Sequence, residues 1–149
     1  MTVNTSMPRL NRERVGEWLE RVTRNHGKVA GKLTYIFCDD EYILSTNRQF
    51  LNHDYYTDII TFDYSTTRRV AGDMVISLDT VASNAAALGE SVERELLRVI
   101  VHGVLHLCGI NDKGPGEREV MERHENESLS LIAVDEMYSN DGKEASDEV

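Results

Sequence analysis

A chain of 149 residues, 40% hydrophobic and 28% charged, is long enough to bury one core and too short for two of ordinary size. Its net charge of -10 speaks against a nucleic-acid partner held by an overall Lys/Arg excess. No run approaches the roughly 18 apolar residues of a membrane span, and Asn4, Thr5 and Ser6 leave no apolar signal-peptide core, so the expected location is cytoplasmic, with no membrane contact.

In chain order, Asn11 caps a helix running to about Asn25, with Val15, Trp18, Leu19 and Val22 as its apolar stripe and Gly27 as its end. Lys32 to Cys38 reads as a strand, β-branched and aromatic, and Asp39 starts a second helix carrying Tyr42, Ile43, Asn47 and Phe50. Asn52 to Tyr56 has no periodicity and reads as a loop. Strands at Ile59 to Tyr64 and Asp73 to Leu78 follow, joined by a polar connection around Ser65 to Arg69 that suits a hairpin. Asp79 or Thr80 then caps an alanine-rich helix ended by Gly89. The next helix opens at Ser91, with Glu93 and Glu95 in its first turns, and runs to Cys108 before Gly109 stops it. After Gly114, Pro115 and Gly116, a last helix is expected from about Glu117 to Tyr138, leaving a polar, acidic, disordered tail. The domain thus covers 1–138 and the tail 139–149. Strands and helices mix without strict βαβ alternation, which predicts an α+β domain with a small mixed sheet covered by helices.

Charge is unevenly spread. Arg9, Arg12, Arg14, Arg21, Arg24, Lys28 and Lys32 crowd the first segment, while Asp141, Glu144, Asp147 and Glu148 weight the last third. A local basic surface is compatible with this; so is an ordinary solvated helix face, since Glu13, Glu17 and Glu20 stand at pairing distances. Cys38 and Cys108 each lie in an apolar run, where a cysteine packs as a small hydrophobe.

The chemistry-bearing pattern sits on the helix before Gly109. His102 and His106 are four residues apart, which puts both imidazoles on one helix face about 5 to 6 Å apart, able to converge on one metal ion. Gly109 lets the chain leave the helix, and Asp112 follows three residues later as a third ligand. Three protein ligands leave one tetrahedral position open, the arrangement of a catalytic zinc. Metalloproteases with this histidine spacing place a glutamate after the first histidine as general base; here that position is Gly103, which disfavours peptide hydrolysis.

The block from His102 to Asp112 (HGVLHLCGIND) resembles the signature of the YbeY family of bacterial rRNA-maturation endoribonucleases. Asn47, the stretch Thr57 to Phe62 and the stretch Gly72 to Ser77 match further blocks of that family in order and approximate spacing, so the resemblance spans about residues 33 to 112. It implies one zinc ion per chain on a central helix and a single-strand-specific endoribonuclease. The implied work is 16S rRNA 3′-end processing and ribosome quality control, with an rRNA precursor and the small ribosomal subunit as partners. Two departures stand out: Asp112 replaces a usual third histidine, and Leu51 a usual arginine. A carboxylate is a competent zinc ligand, though an anionic one makes bound water less acidic. Without the arginine, Arg68, Arg69 or Arg98 is left to meet a phosphate.

Other residues carry alternatives. His124 on the last helix is a rival to Asp112 as third ligand, although Glu122, Arg123 and Glu125 around it suggest an exposed face. His26 and His53 read as solvated loop histidines. Glu95, two turns before His102 and roughly 10 Å along the axis, is either an acid/base on the substrate side or an ion-paired glutamate. For Asp58 and Asp73 turn chemistry is the simpler reading. Two further functions compete: a ribosome-associated binding factor in which zinc only fastens the C-terminal segment, and a zinc hydrolase of another substrate. The same ligands also accept nickel or another transition ion.

Overall fold

The computed structural model describes residues 2, 3, 5, 7–51 and 57–139. Its elements are β1 (Thr2–Val3), α1 (Arg12–Asn25), β2 (Val29–Cys38), α2 (Asp40–Thr46), β3 (Ile59–Asp63), β4 (Arg69–Ser77), α3 (Leu78–Leu88), α4 (Val92–Leu107) and α5 (Glu117–Leu129). A π-helical turn, Asn47–Leu51, continues α2, and a 3-10 turn, Val134–Met137, follows α5. The loop expected at 52–56, with His53, and the tail from 140 lie outside the described residues.

The strands form one mixed sheet in the order β1-β2-β4-β3, parallel except for β3, which pairs antiparallel with β4 through the expected hairpin. Alternation along β4 decides what each face covers. Ile76 joins the main core with α1, α4 and α5, and Met74 and Val70 pack with Leu107. Val75 points the other way, into a smaller cluster with Ile43 of α2, Ile60 and Cys38. Thus α4 is the central helix: Leu97, Val101, Val104 and Leu105 are wholly buried. It lies close to the sheet because Gly103 has no side chain. A Cβ there would stand 2.9 Å from Ile59 Cδ1 and 3.0 Å from Met74 Cγ.

Most element starts are set by local capping. Asn11, Asp39 and Ser91 accept the amide protons of Arg14, Tyr42 and Arg94 at the starts of α1, α2 and α4. Besides the earlier starts of β2 and β4, at Val29 and Arg69, two helix boundaries differ from the sequence reading. The cap of α3 is Ser77, which accepts from the Thr80 amide. Asp79 instead accepts the amide of Asp40 in α2, and Thr80 donates its hydroxyl to the Asp40 carboxylate. The last helix stops at Leu129 rather than Tyr138. There the chain turns back, so that Asn11 N–H donates to Met137 O, Leu10 bridges Tyr138, and Ser139 N–H donates to Arg9 O. Both cysteines are unpaired, and among the described residues no helix is long and apolar enough to cross a membrane.

Candidate metal centre

Helix α4 carries His102 and His106 on the side away from Gly103, and Gly109, at φ 101°, turns the chain out of the helix in a conformation that suits glycine. That turn brings Asp112 back: its Oδ2 lies 3.3 Å from His102 Nε2. The opposite ring nitrogen is fixed as well. His102 Nδ1 is 2.7 Å from Oε2 of Glu125 on α5; a carboxylate accepts, so Nδ1 carries a proton and Nε2 is the ring nitrogen turned toward Asp112. Burial opposes the charged imidazole, but the Glu125 hydrogen bond and charge, with Asp112 and Asp58, outweigh it and hold the His102 pKa above its ordinary value.

Glu125 is itself 6% exposed and is held from behind. Arg98 Nη1 lies 3.5 Å from Glu125 Oε1 and donates to Asn126 Oδ1 at 3.2 Å. Arg98 Nε also stands 3.3 Å from Glu95 Oε1, an ion pair whose alignment makes no hydrogen bond. Burial raises the Glu95 carboxyl above its usual range, with Arg98 opposing. Asp58, just before β3, is likewise raised by burial, with His102 opposing.

These side chains line one groove of about 640 Å³, walled by α3, α4 and α5, with Asp58 as the contribution from the sheet. The groove is therefore mainly a cleft between helices. Its lining is acidic. Asp58, Glu90, Glu95, Asp112, Glu122 and Glu125 face Arg98 and Arg118, and both arginines are already paired, Arg118 with Glu122 at 3.5 Å.

His106, one turn beyond His102, is exposed. Among the described residues, no group of three or more His, Cys, Asp or Glu is assembled as a metal site. The pair that is assembled fits one: two donors about 2.0 to 2.1 Å from a tetrahedral zinc lie about 3.3 Å apart, the observed separation of His102 Nε2 and Asp112 Oδ2. The Nδ1–carboxylate bond behind a ligating histidine is the usual outer support of such sites. His124 is engaged elsewhere, edge-on against His26 at 5.0 Å between ring centroids and 3.4 Å from Glu127 through Nδ1.

Sequence reasoning missed Glu125, which it placed on an exposed face with His124. The signal was present: Met121, Glu125, Ser128 and Leu129 are the buried residues of α5, the four-and-three spacing of an inward stripe. Of the three arginines open as phosphate partners, Arg98 lines the groove, whereas Arg68 and Arg69 lie at the β3–β4 hairpin.

The comparisons agree with the pattern on α4. A family model described as Endoribonuclease YbeY matches residues 2–133. Endoribonuclease YbeY of Phocaeicola vulgatus is 55% identical over 133 residues, covering 89% of this chain and 96% of the relative. Its counterpart in Bacteroides thetaiotaomicron is 55% identical over 130 residues, covering 87% and 95%. The solution structure of TM1509 from Thermotoga maritima matches with a TM-score of 0.61 at 25% identity, covering 97% of this chain and all of that one. Because the family model and these relatives all extend over most of the chain and include the His102–Asp112 block, the chain belongs to the YbeY family of endoribonucleases.

Proposed function

We propose that this chain is a zinc-dependent endoribonuclease of single-stranded RNA, acting on the 3′ end of a 16S rRNA precursor in the cytoplasm and in ribosome quality control with the small subunit. His102, His106 and Asp112 hold one zinc ion. The observation that carries this reading is the 3.3 Å spacing of His102 Nε2 and Asp112 Oδ2, with Nδ1 backed by Glu125. His106 supports it, standing one turn away and exposed, with no side-chain hydrogen bond or ion pair among the described residues.

Bound there, zinc supplies Lewis acidity for a phosphoryl oxygen or an attacking water. The protein's own groups do the rest. Glu125 holds His102 in one tautomer, and Arg98 keeps Glu125 from swinging out. Glu95 lines the groove with a carboxyl that burial makes a better proton holder than free glutamate, which suits it to general acid/base work. Asp58 shares both properties.

The test is metal content by elemental analysis beside cleavage of a labelled single-stranded rRNA 3′ precursor, for wild type, His102→Ala and Asp112→Ala. About one zinc per wild-type chain is expected, with zinc and cleavage lost together in both variants. An Asp112→Ala protein with full zinc and full cleavage would remove Asp112 from the site.

A further inference from the structure

The groove that holds the metal pair has an acidic lining, and its two arginines are paired with its carboxylates. Among the described residues it offers no unpaired cation to a polyanionic strand. Among the described residues, four of the cations that make no ion pair come together elsewhere. Lys28 and Lys32 come from the start of β2, and Arg68 and Arg69 from the β3–β4 hairpin. Pairing of β2 with β4 forces them together: Val29 stands opposite Arg69, Val29 N–H donates to Arg68 O at 2.8 Å, and Lys28 Nζ donates to Thr67 O at 2.7 Å. Gly31 lies beneath the stem of Arg69, where a Cβ would stand 2.8 Å from its Cγ.

Lys32, Arg68 and Arg69 are exposed, and among the described residues none of the four makes an ion pair. Arg14, Arg94, Arg98 and Arg118 all do. The flanking acids Glu20 and Asp63 do not close on the four, and Asp63 Oδ1 instead accepts the Ser65 amide. The cluster lies toward the C-terminal end of α4, since Val70 and Leu33, next in sequence to Arg69 and Lys32, pack with Leu107. Tyr64, 62% exposed on the same hairpin, adds an aromatic face with its hydroxyl 3.4 Å from Asp73.

We infer that Lys28, Lys32, Arg68 and Arg69, with Tyr64 beside them, form a binding surface for single-stranded RNA, gripping its phosphates and stacking one base while the groove farther along α4 receives the scissile segment. Unpaired cations beside an exposed ring are the combination by which proteins hold a single strand without reading its sequence. This deepens the endoribonuclease reading and rests on it.

The test is fluorescence anisotropy of a labelled single-stranded RNA with the full chain across a salt series, in EDTA so that binding is read apart from metal and cleavage. For Arg68→Gln/Arg69→Gln the slope of log K against log salt should shrink by about 1.4, which is about 25-fold weaker binding near 0.1 M salt. Tyr64→Ala should weaken binding with the slope unchanged. Circular dichroism confirms that each variant is folded. Equal affinity and slope in the double variant and wild type would overturn the surface. If poly-glutamate displaces RNA as well as unlabelled RNA does and Tyr64→Ala has no effect, the surface is one for an acidic protein segment and RNA is wrong. Wild type that binds no RNA at any salt would instead sink the nuclease reading itself.

Discussion

Glu125 shows how a single buried carboxylate sets the chemistry of its neighbour. With Oε2 2.7 Å from His102 Nδ1, it selects the tautomer that leaves Nε2 available, and removing it frees both the ring's rotation and its proton. Glu125→Ala should therefore lower zinc affinity about 10- to 100-fold, read by competition with a chromophoric chelator, with Glu125→Gln falling between because an amide oxygen still accepts. Unchanged affinity in the alanine variant would mean that the hydrogen bond does not orient a ligand. The i, i+4 histidines, the helix-ending glycine and Asp112 were legible because they are local in sequence. Glu125 and Arg98 act from a different turn or a different helix, and only the packing of α5 on α4 reveals their partners. Asp58 was read as turn chemistry for the same reason: its burial beside His102 is a tertiary fact.

Elements were legible where caps and periodicity agree, as for α1 and α4, whose Asn11 and Ser91 caps stand where the sequence places them. They were misjudged where a tertiary contact decides. Residues 130–138 contain good helix formers and no breaker, yet the chain leaves the helix at Leu129 to clasp the segment before α1, a case of tertiary context overriding propensity. Likewise β2 and β4 begin earlier than their hydrophobic patterns, at Val29 and Arg69, because each supplies the other's hydrogen bonds. The tie between α1 and α5 is similarly non-local: Trp18, 3% exposed, donates its Nε1–H to Ser128 O at 2.9 Å. Trp18→Phe removes one of that carbonyl's two donors, the other being the Leu131 amide at 3.2 Å, and should cost about 0.5 to 1.5 kcal/mol, seen as a lower urea midpoint with an unchanged slope. A midpoint equal to wild type would show that the hydrogen bond is replaced by water.

On the scale of the molecule, the protein's own contacts hold α5 against α4. The His102–Glu125 bond, the Arg98–Asn126 bond and the burial of Met121 already fasten α5 to α4. Chelation should accordingly leave helix content and a cooperative unfolding transition in place while abolishing cleavage. A zinc that only fastened the C-terminal segment would take cooperativity with it, and that result would favour the binding factor over the enzyme. The close approach of α4 to the sheet carries a last consequence, for what this scaffold can become. The position after His102, where zinc proteases keep their general base, points at Ile59 and Met74 with no room for even a methyl group. A glutamate there would have to displace the Ile59 and Met74 side chains and would be aimed into the core. Changing Gly103 alone therefore does not make a peptidase of that kind, because the new side chain would face the sheet rather than the groove.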